Sequence, residues 1–210
     1  MNKLKYPTTY HFEYSEGVSR DDKIQKDLSH LQGKEVVVTE KMDGENFSLY
    51  KEGFHARSLD YAHHESHNWL KQFYYNIAHN IPENLRICGE NLYATHSIFY
   101  NNLESYFYGF SIWNRDVCYS WDETVRIFNE LGIKTPKVLY RGFYNREKIM
   151  EAYKKESESR TIEGFVVRKS SSFLYDEFSY CVLKYVRKDH VQENETHWSK
   201  KELIPNKLKY

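Results

Sequence analysis

The chain has 210 residues, 30 basic and 30 acidic side chains, and an aromatic fraction of 17%. A chain of this size buries roughly 70% of its unfolded surface, and so many aromatic side chains exclude intrinsic disorder. A formal net charge of zero excludes a globally basic nucleic-acid binder, so any polyanion must be gripped by a local patch.

Cys88, Cys118 and Cys181 are odd in number and far apart, which argues against a disulfide framework or a zinc site and fits a reducing compartment. The opening segment MNKLKYPTTYHFEYS lacks the apolar centre of a signal peptide, and no apolar run is long enough to span a bilayer. The expectation is a cytoplasmic protein with no membrane contact.

Residues 1–34 read as irregular, with Pro7, Gly17 and room for a short helix in the polar stretch Ser19–Asp27. Glu35–Lys41 (EVVVTEK) is a β-branched run ending at Asp43-Gly44. Asn46–Tyr50 and Phe54–Ser58 follow, separated by Glu52-Gly53. Tight turns between short apolar runs predict a three-stranded antiparallel meander.

His64–Asn80 places Trp69, Leu70, Phe73 and Ile77 at helical spacing, with Pro82 just beyond. Arg86–Tyr93 and Tyr106–Trp113 read as strands. Ser120 and Glu123 form a capping-box pattern, and Gly132 sits where that helix should end. Asn145 can cap another helix through about Lys155. Ile162–Lys169 and Tyr180–Arg187 close the set as strands, and the tail Lys188–Tyr210 has no strong period.

The pattern predicts an α+β fold of largely antiparallel sheets flanked by helices, with one domain over residues 1–210. No GxGxxG or GxxxxGK[ST] loop is present, so a nucleotide would have to be held by other means.

The most informative segment is Glu40-Lys41-Met42-Asp43-Gly44-Glu45-Asn46, where a lysine ends an apolar strand beside three acidic groups. Taken alone it is compatible with a solvated lysine next to an ordinary turn. A lysine nucleophile must instead be neutral, and bringing its pKa from about 10.4 to near 7 requires about 4 kcal/mol. Burial, a second cation such as Lys184, or a metal can supply that.

KMDG with Lys41 resembles motif I of the covalent nucleotidyltransferases, the superfamily of ATP-dependent ligases and mRNA-capping enzymes. Further blocks follow in the family's order. HARSLD (His55–Asp60) resembles motif Ia, CGEN (Cys88–Asn91) motif III, and FYGF (Phe107–Phe110) motif IIIa. EGFVVR (Glu163–Arg168) resembles motif IV and VLKYVR (Val182–Arg187) motif V. Asn46 stands where DNA ligases and capping enzymes usually carry Arg and RNA ligases carry Asn. RICGENLYATHSI and KYVRKDHVQENETHW are also similar to small bacterial and viral RNA ligases.

The resemblance implies an adenylation domain, with no separate oligonucleotide-binding or C-terminal RNA-binding domain evident. It implies an ATP-dependent RNA ligase that joins 5′-phosphate and 3′-OH ends through lysyl-AMP and adenylylated RNA, with a role in RNA repair. Mg²⁺ or Mn²⁺ would be the metal, and end-healing enzymes or an RNA-binding protein would be possible partners.

Lys41 would be the nucleophile, and Asp43, Glu90 and Glu163 would hold the metal, largely through water. Lys184 would contact the α-phosphate and Arg57 a phosphate or the nucleophile's surroundings. Phe110 and Val166 would cover the two faces of adenine, while Glu40 and Asn46 would contact nucleoside or phosphate. Arg187 and His190 are candidate RNA contacts, although strand alternation turns Arg187 away from the face of Lys184. The alternatives are DNA-strand or cap-type nucleotidyl transfer, with Asn46 against both, and a non-catalytic RNA-end-binding module. His63, His64 and His67 read as a solvated imidazole-rich loop, with a zinc cluster as the other reading.

Overall fold

The computed structural model describes residues 3–59, 64–188, 190 and 202–209. Its strands are β1 (Tyr10–Phe12), β2 (Ile24–Gln25), β3 (Glu35–Glu40), β4 (Glu45–Tyr50), β5 (Gly53–Ala56), β6 (Leu85–Asn91), β7 (Phe107–Asn114), β8 (Val117–Cys118), β9 (Val138–Phe143), β10 (Gly164–Lys169), β11 (Phe173–Leu174) and β12 (Val182–Val186). The α-helices are α1 (Asn68–Ile77), α2 (Trp121–Leu131), α3 (Arg146–Ser159) and the single turn α4 (Phe178–Cys181).

These strands make two six-stranded sheets, ordered β2-β1-β12-β10-β3-β9 and β11-β8-β7-β6-β4-β5. Only β1 pairs in parallel, with β12 and β2; the other ladders are antiparallel. The α+β reading with largely antiparallel sheets therefore holds.

Strand alternation divides each sheet into a closed face and an open one. In the first sheet Val36, Val38, Phe165, Val167 and Leu183 pack with Ile149 and Tyr153 of α3. In the second, Phe47, Leu49, Ile87 and Ile112 pack with Leu70 and Tyr74 of α1 and Phe128 of α2. The opposite faces carry the polar and mixed residues, and they line one cleft.

The expected meander does not form. β3 lies between β10 and β9 in the first sheet, whereas β4 and β5 belong to the second. Val36, Val37 and Val38 are all fully buried, so β3 needs cover on both faces and takes a central position. Lys41–Gly44 is thus a crossing between sheets rather than a hairpin turn. Gly44 is required there because a Cβ would come within 2.5 Å of the Asn91 carbonyl oxygen.

The N-terminal segment also differs from expectation. Ser19–Asp27 holds no helix; it leads into β2, which extends the first sheet beside β1. α4 replaces the beginning of the expected strand at Tyr180, and β12 starts only at Val182. β9 had no expected element; its ladder with β3 makes the segment a strand. For α2, the Ser120 hydroxyl accepts from the Glu123 N–H at 3.3 Å, and Gly132 ends the helix at φ 69°.

Candidate active site

A cleft of about 260 Å³ opens between the two sheets. One row of paired residues crosses the first sheet, Thr39, Val166, Lys184 and His11, and the first three of these line one wall. The facing wall has Asn46 paired to Glu90, and a bulge between Cys88 and Gly89 leaves Phe110 as the extra residue of β7. A bulge re-aims the side chain it carries. Phe110 consequently lines the cleft, edge-on to Tyr6 at 5.4 Å between ring centres.

Glu40, Lys41, Asn46, Arg57, Glu90, Phe110, Val166 and Lys184 all line this one cleft. They come from seven chain segments with separations of up to 144 residues, the span from Glu40 to Lys184.

Lys41 is the first residue beyond β3, and its backbone N–H donates to the Gly164 carbonyl at 3.0 Å. Its Nζ lies 2.6 Å from Glu163 Oε1 and 2.7 Å from Glu163 Oε2. Burial alone would lower the amine's pKa. The carboxylates of Glu163, Glu90 and Asp43 outweigh it and raise the pKa above the ordinary lysine value. In this state the amine is a protonated ion-pair partner, not yet a nucleophile.

The same crowding acts on Glu90. Burial, together with Glu163, Asp43 and Glu45, pushes its carboxyl up to about 8 despite the attraction of Lys41. Asp43 goes the other way: burial opposes ionisation, but His190 and the Ser97 N–H hold its pKa below the usual value. Asp43 Oδ2 accepts from the N–H groups of Ser97 and Ile98, each at 2.8 Å.

Lys184 Nζ lies 3.3 Å from Asp22 Oδ1, and the buried His11 Nε2 lies 3.3 Å from the same oxygen. Burial and the charge of Lys41 lower the Lys184 amine against the pull of Asp22. Asp22 Oδ2 accepts from the Ser19 N–H and hydroxyl at 3.0 and 2.7 Å. Neither Asp22 nor His11 was singled out from sequence; they lie far upstream in a segment with no periodicity.

Glu40 carries a partner that sequence reasoning also missed. It is 3% exposed and pairs through both oxygens with Arg160, at 2.7 and 2.5 Å. Asn46 is poised differently, because its Oδ1 is buried with no hydrogen-bond partner among the described residues. Arg57 donates to the Tyr6 carbonyl at 3.4 Å and to the Thr8 hydroxyl at 3.2 Å.

The two expected RNA contacts lie in different surroundings. Arg187 follows β12 on the face of Tyr185, close to Tyr153 of α3, and does not line the cleft. His190 is buried, with Nε2 at 3.3 Å from Glu163 Oε1 and 3.6 Å from Asp43 Oδ1. Burial alone would lower its pKa, but these two carboxylates raise it to about 9. Of the imidazole-rich loop, His67 Nε2 lies 2.7 Å from Glu45 Oε2 and His64 Nδ1 2.7 Å from the Ser66 hydroxyl. His63, Asp60 and His197 fall outside the described residues.

The donor chemistry suits a divalent cation. Among the described residues, Asp43, Glu163 and His190 form the group whose ligating atoms all lie within 4.8 Å of one another. Carboxylate oxygens are what a hard divalent ion prefers, and Glu90 adds another at the cleft wall.

A family model described as RNA ligase matches residues 34–186. Solved structures with a similar fold include a Naegleria gruberi RNA ligase with PPi, at TM-score 0.54 and 18% identity, covering 88% of this chain and 61% of that one. A mutant Naegleria gruberi RNA ligase with AMP and Mn gives TM-score 0.53 and 17% identity over 76% of this chain and 52% of its own. An archaeal ATP-dependent RNA ligase gives TM-score 0.52 and 16% identity over 76% and 44%. The chain spans about half the length of these ligases. No curated protein matches the sequence.

Proposed function

The chain belongs to the RNA ligase family, and from that premise we propose that it is an ATP-dependent RNA ligase whose described residues form the adenylation domain. The observation that supports this most directly is the Lys41–Glu163 ion pair at the wall of a cleft that also carries Phe110, Val166 and Lys184.

ATP would enter with its base between Phe110 and Val166, the aromatic ring on one face and the aliphatic side chain on the other. The orphaned Asn46 Oδ1 would accept from a nucleoside hydroxyl, which removes a buried unpaired acceptor. Glu40, fixed by Arg160, would define the nearby polar wall, and Arg57 would face phosphate. Lys184 would contact the α-phosphate once that anion competes with Asp22 for its ammonium.

Asp43, Glu90 and Glu163 would hold Mg²⁺ or Mn²⁺, which supplies neutralisation of phosphate charge and draws negative charge away from Lys41. Lys41, having released its proton to water, attacks the α-phosphorus. A nitrogen–phosphorus bond forms, the bond to the bridging oxygen breaks, and pyrophosphate leaves. AMP then passes to an RNA 5′-phosphate and is displaced by a 3′-OH. Both later steps are in-line displacements in which positioning and charge stabilisation do the catalysis.

RNA repair, a cytoplasmic setting, and help from end-healing enzymes or an RNA-binding partner are part of the proposal. No helix among the described residues is long and apolar enough to cross a membrane.

The test is incubation with α-labelled ATP and a divalent cation, followed by denaturation. Label should remain on the protein and disappear in Lys41→Ala; label that persists in the variant overturns the nucleophile. An adduct with GTP and none with ATP would instead assign a cap-type transfer. Sealing is then read on RNA with 5′-phosphate and 3′-OH ends, where turnover is expected to be slow beside the first step.

A further inference from the structure

His190 lies three residues beyond the motif V block that ends at Arg187, yet it faces Glu163 Oε1, the oxygen that Lys41 also contacts. Its Nε2 is 3.3 Å from Glu163 Oε1 and 3.6 Å from Asp43 Oδ1. Two donors in adjacent positions, each about 2.1 Å from one ion, are separated by roughly 3.0–3.5 Å. The spacing is therefore close to that of a chelating set.

The carboxylates are also oriented for it. The N–H groups of Ser97 and Ile98 occupy Asp43 Oδ2, which leaves Oδ1 directed at the imidazole. His190 is 8% exposed, and its other ring nitrogen is buried without a hydrogen-bond partner among the described residues.

We infer that His190 is a direct ligand of the divalent cation together with Asp43 and Glu163, and that the site favours Mn²⁺ over Mg²⁺. Mg²⁺ takes oxygen ligands and keeps its waters, whereas an imidazole nitrogen suits ions of the first transition row. Glu163 would then be shared between the ion and Lys41, linking cation binding to the charge around the amine. That last consequence rests on the adenylation reading; the ligand assignment does not.

The test uses the full chain with Mn²⁺ alone, without nucleotide, read by pulsed electron paramagnetic resonance and titration calorimetry. Bound Mn²⁺ should show coupling to an imidazole nitrogen, with the pattern altered by isotopically labelled histidine. His190→Ala should lose that coupling and bind Mn²⁺ about tenfold more weakly or worse, a scale comparable to losing an outer-shell partner. Its preference for Mn²⁺ over Mg²⁺ should shrink in parallel.

Absence of imidazole coupling in the wild type, or coupling that persists in His190→Ala, overturns the assignment. So does Mn²⁺ binding that is unchanged or tighter in the variant, the result expected if the ring merely sits in the ion's place. The wild-type spectrum decides the question if the variant fails to fold. An intact coupling without a Lys41 adduct would overturn the functional reading alone, and the reverse would overturn only the ligand assignment.

Discussion

Lys41 and Lys184 occupy opposite electrostatic situations although both line one cleft. Three carboxylates raise the Lys41 amine, while burial and Lys41 itself lower that of Lys184. The difference makes Asp22 the residue that holds Lys184 in place. Burial alone would raise Asp22, but the Ser19 hydroxyl and N–H, Lys184 and His11 bring its pKa down to about 2. A depressed carboxyl contributes stability above its unfolded value and loses that contribution as pH falls through the folded one. Asp22→Asn should therefore lower stability at pH 7 by about 1–2 kcal/mol, a value reduced for solvent screening. The deficit should shrink as pH falls from near 4 towards 2, which thermal melting of both proteins across that range would reveal. A deficit independent of pH would show that the carboxylate charge is not what Asp22 contributes.

The elements matter through where they cross and how closely they pair. Lys41 gains its position because β3 ends in one sheet and β4 begins in the other, with Gly44 passing against β6. Phe110 gains its position from a one-residue bulge in β7. β10 and β12 set Val166 opposite Lys184, and their close approach depends on Gly164, where a Cβ would stand 1.9 Å from the Tyr185 carbonyl oxygen. Gly164→Ala should force the two strands apart and cost about 2–3 kcal/mol, measurable by urea unfolding. Formation of the Lys41 adduct should fall with it, since Glu163 is the adjoining residue. A variant as stable as the parent would mean that the sheet accommodates the methyl group without separating.

At the scale of the whole molecule, a C-terminal segment fastens the loop that orients Asp43. Asn206 is 1% exposed and donates through Nδ2 to the carbonyls of Leu92 and Ala94, at 2.7 and 3.3 Å. Its Oδ1 accepts from the Thr95 hydroxyl at 2.9 Å and the Tyr100 N–H at 2.8 Å. The Tyr100 hydroxyl in turn accepts from the Asp43 N–H at 3.0 Å. Removing the amide leaves several buried groups unpaired, so Asn206→Ala should cost about 2–3 kcal/mol. The loss should be local: amide exchange over residues 92–106 should accelerate while β3 and β10 keep their protection. Unchanged exchange in that loop would remove Asn206 from any role in orienting Asp43.

Much of the site could be read in advance because its chemistry is written in short local blocks. KMDG, CGEN and EGFVVR each keep a charged residue beside small or apolar neighbours, and the helix at Trp121–Leu131 announces itself through Ser120 and Gly132. Local patterns could not reveal pairing between distant segments. The pairing of β3 with β9 and β10, the hold of Asp22 on both Lys184 and His11, the clasp of Arg160 on Glu40 and the approach of His190 to Asp43 all join residues far apart in the chain. Short-range composition and periodicity determine which residues can form a strand, a cap or an ion pair. Which of them meet is decided by burying two apolar sheet faces at once, and that condition exists only in the folded molecule.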